Sequence, residues 1–198
     1  MTTKPLLTVM IPTTIDRREL FVLLVNELQR QRQGFSELVE IIWREDNKEI
    51  SVGLKRQQLL EDAKGEWVVG FDSDDWPADT YLIDIITALK DNPNVDHVGF
   101  LEDCNIDGEK SLSIFSIRHK QWAENLDGYD HVRCANPKSV IRRTKALEVG
   151  YQDSRFGEDR IFSEAVTPLL ESEVFINKPL YFYRHESTPF NQRYGVPL

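Results

Sequence analysis

The sequence predicts an α/β domain in which a central, mainly parallel sheet is flanked by helices. Three observations carry this. Apolar runs of strand length alternate with stretches of helical periodicity. The loops between them are short enough to imply right-handed crossovers. The third apolar run, Trp67 to Phe71, ends abruptly in Asp72, Asp74 and Asp75. Acids this close repel one another and raise their own pKa values unless they share a cation, so the cluster points to a divalent metal with oxygen ligands. Turn and cap chemistry also places aspartates ahead of helices; the company the motif keeps favours the metal.

Taken in order, Leu6 to Pro12 is a continuous apolar strand that Pro12 is expected to stop, followed by a loop through Arg17. Glu19 to Gln31 carries Leu20, Leu23, Leu24 and Leu28 at helical spacing and ends near Gly34. Leu38 to Trp43 is the second strand, with a polar loop from Arg44 to Lys48. Ser51 to Lys64 is the second helix, and Gly65 closes it ahead of the acid-tipped strand. Pro77 then turns the chain into a helix over Asp79 to Leu89, with Tyr81, Leu82, Ile85, Ile86 and Leu89 on one side. In such sheets ligands sit beyond the carboxyl ends of the strands, so Thr13, Asp46 and the aspartate cluster are expected to converge on one crevice.

The second half reads less regularly. Val95 to Glu102 is a strand, Asp103 to Lys110 a hairpin turn centred on Asp107-Gly108, and Ser111 to Ile117 its return. Arg118 to Tyr129 gives little signal. Arg133 to Lys145 holds five basic residues, Arg133, Lys138, Arg142, Arg143 and Lys145, and no acid; it is either a solvated connection or a binding surface. Glu158 and Asp159 stand at the amino terminus of a helix over Arg160 to Leu169, where acids also complement the helix dipole. Two short strands are expected, Val174 to Ile176 and Pro179 to His185, and then an aperiodic tail from Glu186 to Leu198.

Composition narrows the classes. The 198 residues, 40% hydrophobic, suit one domain with a sizeable core. A formal charge of −9 argues against wholesale binding to nucleic acid or a membrane surface, while leaving room for a local basic patch. The two cysteines, Cys104 and Cys134, make neither a metal spacing nor a disulfide framework, so a cytoplasmic setting is expected. No signal peptide, transmembrane run or internal repeat is apparent.

Leu7-Thr-Val-Met-Ile-Pro-Thr13, Glu40 to Asp46, Gly53-Leu-Lys-Arg-Gln57, Phe71-Asp-Ser-Asp-Asp75, Phe156-Gly-Glu-Asp159 and Leu180 to His185 together resemble, in order and spacing, the inverting family 2 glycosyltransferases of the GT-A fold. The resemblance implies a metal-dependent enzyme that moves one sugar from a nucleotide-diphosphate sugar, a UDP sugar first, to a hydroxyl acceptor. It implies Mn²⁺ or Mg²⁺ held by Asp74 and Asp72, with His185 completing the shell. Donor binding falls to Pro12, Thr13, Asp46, Arg56, Asp72 and Arg184, with Asp46 on the base. Asp159 is the implied general base and Glu158 its neighbour. Residues 1–103 form the nucleotide-sugar half and 104–198 the acceptor half.

The chain departs from the family at Glu45-Asp-Asn-Lys48, where Asp-Asp-Gly-Ser is common. It lacks the Gln-x-x-Arg-Trp signature of processive synthases, so single-sugar transfer is expected. Two acceptors remain open, a saccharide or lipid-linked glycan and a hydroxylated DNA base gripped by the five basic residues. A nucleotidyltransferase and a non-catalytic sugar-nucleotide binder are the alternatives from other classes; the first usually needs a glycine- and lysine-rich loop after the first strand, which Pro12 to Arg17 does not supply.

Overall fold

A computed structural model describes residues 4–185. The tail from Glu186 onward, and any reading of it, lies outside the described residues. Strands β1 (Leu7–Thr14), β2 (Val39–Asp46) and β3 (Trp67–Gly70) pair in parallel in the order β2-β1-β3, connected through helices α1 (Arg18–Gln31) and α2 (Val52–Asp62). A two-residue strand, β4 (Trp76–Pro77), precedes α3 (Tyr81–Asp91) and the long β5 (His97–Ile106). Then follow β6 (Glu109–Phe115), β7 (Ala123–Leu126), β8 (Tyr129–Arg133), β9 (Val140–Arg142), α4 (Arg143–Val149), α5 (Glu158–Val166) and β10 (Glu173–His185). The central sheet runs β2-β1-β3-β9-β5-β6-β8-β7, parallel through β2-β1-β3 and at β6-β8 and antiparallel on both sides of β9 and in the β5-β6 and β7-β8 pairs, with β10 parallel to β5 and antiparallel to β4. The 103/104 division falls inside β5, so both halves share one sheet.

Strand alternation sorts the core into two layers. Leu7, Val9 and Ile11 of β1 and Trp67 and Val69 of β3 face α1 and α3, while Met10 and Val68 face α2, α4 and α5. All five apolar residues predicted for α3 are buried. On α1 the buried stripe is Phe21, Leu24 and Leu28, and Leu20 and Leu23 are exposed. No helix among the described residues is long and apolar enough to cross a membrane.

Several boundaries move, each for a physical reason. β1 runs through Pro12 because Met10 already turns its carbonyl towards β3, accepting from Phe71 N–H, and Pro12 two residues on faces the same side after the β3 ladder has ended. The missing N–H therefore breaks no ladder bond. Pairing with β1 likewise carries β2 past Trp43 to Asp46, where a loop was expected. The hairpin narrows to Asp107 and Gly108, both at positive φ (53° and 92°), the backbone of a tight two-residue turn. The stretch from Arg118 to Tyr129, weak in sequence, contains β7 and the turn of the β7–β8 hairpin. The two expected C-terminal strands are one, β10, which shifts register against β5 on both sides of Pro179, where the proline has no N–H to donate.

Candidate functional site

The carboxyl ends of β1 and β3 open into a crevice of about 460 Å³ whose wall includes Pro12, Thr13, Arg56, Asp72, Asp74 and His185. Six of the sequence-predicted site residues are therefore brought together. Asp46 stands behind Lys55, whose Nζ is ion-paired with Asp46 Oδ1 and donates to the Thr13 carbonyl at 2.9 Å. Asp46 Oδ2 accepts from Ile50 N–H at 2.8 Å, so both carboxylate oxygens are engaged. Burial alone would raise the Asp46 pKa, but the Lys55 and Ile50 hydrogen bonds outweigh it and hold the carboxyl below the usual range. Arg184 is elsewhere: alternation along β10 sends Tyr183 and His185 to the crevice and Arg184 to a separate recess beside Asp74, Asp75 and Trp76.

Arg56 organises the buried side of the crevice. Its Nη2 donates to Asp72 Oδ1 at 2.6 Å and its Nε to Glu158 Oε1 at 3.3 Å, tying the tip of β3 to the first turn of α5. The glycine at position 70 makes room for it, since a Cβ there would lie 3.0 Å from Arg56 Nη1 and 3.1 Å from the Pro137 carbonyl. Gly53 lets α2 approach the loop before α5, where a Cβ would lie 2.0 Å from the Gln152 carbonyl. Burial would push Asp72 up, but Arg56 and Lys138 hold it below the usual range. For Glu158 burial wins over Arg56, and its pKa rises.

The three aspartates differ in environment. Asp74 borders solvent and pairs with Arg17 at 3.0 Å; burial raises its pKa, Arg17 opposes, and Asp72 adds to the rise. Asp75 is buried, accepting from Tyr181 Oη at 2.6 Å and Arg184 N–H at 3.0 Å. Its carboxyl is pushed up to about 7, chiefly by burial, with Lys138 pulling against it. Asp75 thus anchors β10, and the chain itself supplies part of the shared cation that the cluster calls for: Lys138 Nζ lies 3.4 Å from Asp75, 3.8 Å from Asp72 and 3.0 Å from Glu102.

That position bears on the basic segment, read as either a solvated connection or a phosphate-gripping face: most of its cations are engaged within the chain. The Pro137 carbonyl accepts from Gly70 N–H at 2.7 Å, which draws Lys138 beneath the tip of β3 and buries it among acids. Arg142 pairs with Glu66 at 2.7 Å and Asp96 at 3.3 Å, and Arg133 with Glu124 at 2.8 Å. Arg143 donates to the Leu60 and Glu61 carbonyls, and Lys145 is half-buried on α4. Sequence reasoning also passed over Lys55 as a site residue; its only local signal is a cation among the apolar positions of α2.

A second cavity, of about 280 Å³, adjoins the crevice and shares Tyr183 with it. Asp159 is in its wall, half-buried, with Oδ1 accepting from Arg160 N–H at 2.8 Å. Among the described residues no three His, Cys, Asp or Glu side chains form a ready-made metal cage. Asp72 and Asp74 nevertheless fit a Mg²⁺ or Mn²⁺ ion that arrives with a diphosphate, because such ions take one or two carboxylates and complete their shell with phosphate oxygens and water.

A sequence model described as glycosyl transferase family 2 matches residues 24–149. Among solved structures, Staphylococcus aureus TarS 1–349 in complex with UDP-GlcNAc superposes with a TM-score of 0.63 at 15% identity, over 92% of this chain and 59% of that one. A mannosyltransferase, PcManGT from Pyrobaculum calidifontis, in complex with GDP-Man and Mn²⁺, gives 0.51 at 15% identity, over 91% of this chain and 57% of that one. The chain spans about 36% of the longer TarS chain. At these identities the likeness is one of fold, the GT-A arrangement. No curated protein matches the sequence.

Proposed function

Because the chain belongs to glycosyl transferase family 2, we propose that it moves one sugar from a nucleoside-diphosphate sugar to a hydroxyl acceptor, with inversion and with a divalent metal. One observation supports this above others. The acid-tipped crevice and the cavity that holds Asp159 share a wall at Tyr183, so a donor in one would present its anomeric carbon to an acceptor in the other.

In this reading Lys55 and Thr13 line the nucleotide end, with Asp46 fixing the Lys55 ammonium. Asp72 and Asp74 would hold the metal, with His185 beside them; when bound, the ion neutralises charge developing on the departing diphosphate. Arg56 fixes the Asp72 carboxylate and, through Glu158, the start of α5, which carries Asp159. Asp159 accepts the acceptor proton. The acceptor oxygen bonds to the anomeric carbon, the bond from that carbon to the diphosphate oxygen breaks, and the diphosphate leaves with the electron pair. The single displacement inverts the anomeric centre. Residues 1–103 are the donor half and 104–198 chiefly the acceptor half.

Support for a UDP or GDP donor comes from the fold relatives whose complexes carry UDP-GlcNAc and GDP-Man. Calorimetric titration of UDP, GDP and their hexose conjugates, with Mn²⁺, Mg²⁺ or a chelator, tests the reading. Metal-dependent binding that Asp74→Ala abolishes and Asp159→Ala keeps is the expected result. Binding of none of these nucleotides would remove the transferase reading.

A further inference from the structure

The acceptor side of the site has a chemistry of its own, written in the cavity that adjoins the crevice. We infer that this cavity binds a single neutral, polyhydroxylated ring, a saccharide unit or its cyclic polyol equivalent, against Trp122, the residue just before the β7–β8 hairpin. The inference rests on the donor reading above and names the acceptor class for the same site.

Charge decides against an anionic acceptor. The two cations in the wall are already matched, Lys138 by Glu102 at 3.0 Å and Arg133 by Glu124 at 2.8 Å. His131 is held between Glu124 at 2.5 Å and Ser111 at 3.0 Å. The carboxylates Glu102 and Asp159 also border the space, so a phosphate or carboxylate placed there would meet negative charge, with no unclaimed cation among the described residues of the wall to offset it. Those same carboxylates accept hydrogen bonds from hydroxyl groups well.

Surface character points the same way. Trp122, Phe115 and Ile106 supply apolar area beside Ser113, Asn136 and Glu102, a mixture that suits a ring with C–H faces and hydroxyl edges. The Arg133 guanidinium lies over the Trp122 ring at 4.5 Å, locking the indole in place. Trp122 Nε1 is buried without a protein acceptor among the described residues, a donor that a ligand hydroxyl would satisfy as the hairpin adjusts. At about 280 Å³ the cavity sits at the small end of ligand sites, which fits one ring rather than a chain.

The test uses the full chain and two readouts. Saturation-transfer NMR with methyl glycosides of neutral hexoses, and with glycerol 3-phosphate as the anionic comparison, reads acceptor binding without any donor. Transfer from the UDP and GDP hexose panel to the same compounds, with slow transfer to water as background, reads turnover. We expect a neutral glycoside to bind and be glycosylated. Trp122→Ala should raise its KM roughly tenfold or more, the order expected from losing one aromatic anchor. Trp122→Phe, which keeps an aromatic face, should restore most of the affinity and guard against simple misfolding. Donor turnover to water with no neutral glycoside bound, a preference for glycerol 3-phosphate, or an unchanged KM in Trp122→Ala overturns the inference and leaves the donor reading standing. Absence of donor binding removes both.

Discussion

His97, Ser139 and Glu173 form a hydrogen-bonded chain, with Glu173 Oε1 2.8 Å from His97 Nδ1 and His97 Nε2 2.7 Å from Ser139 Oγ. Those residue types at those distances would pass for a hydrolase triad. Arg56, Asp72, Glu158 and Lys138 form a looser ionic network, with contacts of 2.6, 3.3 and 3.8 Å. The difference lies in access. His97 and Ser139 have no exposed surface, and Ser139 Oγ is further engaged with the Asn136 backbone at 2.8 and 3.0 Å. The triad-like chain clamps β5, the turn before β9 and the start of β10, whereas the Arg56 network borders a crevice and a cavity. Geometry alone does not distinguish chemistry from scaffolding; a path to the reacting atom does.

The sharpest separation comes from Asp159→Ala. On the proposed reading of Asp159 as the base, its loss should lower kcat roughly 100- to 10,000-fold with donor affinity and melting temperature nearly unchanged, measured by steady-state kinetics beside thermal unfolding. A fall in melting temperature as large as that of a core variant would move Asp159 to the scaffolding side. Arg56→Ala breaks the comparison on purpose, because Arg56 is both buried and at the crevice. Removing it leaves Asp72 and Glu158 with an uncompensated charge and should cost about 3–5 kcal/mol in denaturant unfolding, together with weaker donor binding. His97→Ala should cost about 2–4 kcal/mol, from lost packing and two orphaned partners, while kcat per folded molecule stays at the parent value. A matching loss of kcat would show that the sealed cluster shapes the site.

Much of this was legible in the sequence, where the signal was local. The runs of β1 and β3 and the Tyr81 to Leu89 stripe of α3 carry their period within one element, and all are buried as read. The crevice followed, since ligands gather where parallel strands end. What escaped depended on pairing across the chain. β10 lies parallel to β5, about 76 residues earlier at its start, and no neighbouring residue announces that partnership. Lys138 misled for the same reason: the acid-free stretch from Arg133 to Lys145 around it is basic, while Glu102, the acid nearest to it, is 36 residues away. Leu20 and Leu23 fit the helical period of α1 but fall outside the stripe that Phe21, Leu24 and Leu28 bury.

The smallest expected effect concerns pH and belongs to the sealed cluster alone. Burial by itself would raise the Glu173 pKa, but hydrogen bonds from His97, the Ser116 hydroxyl and the Ile117 N–H outweigh it and hold the carboxyl below the usual glutamate range. A carboxylate depressed in the folded state stabilises the fold fully above its unfolded pKa, about 4.3, and loses that contribution as pH falls through the folded value. Urea unfolding from pH 7 to pH 3 should therefore show the parent losing stability below about pH 4 more steeply than Glu173→Gln, whose amide does not titrate. The stability gap between the two should be constant at neutral pH and close in acid. Because His97, Ser139 and Glu173 line neither cavity, and Glu173 lies at the end of the hydrogen-bonded chain away from Asn136, kcat of Glu173→Gln at neutral pH should equal that of the parent. A gap that widens in acid would mean that the Glu173 carboxylate is not the stabilising form, and the clamp would then rest on the His97–Ser139 contact and on packing.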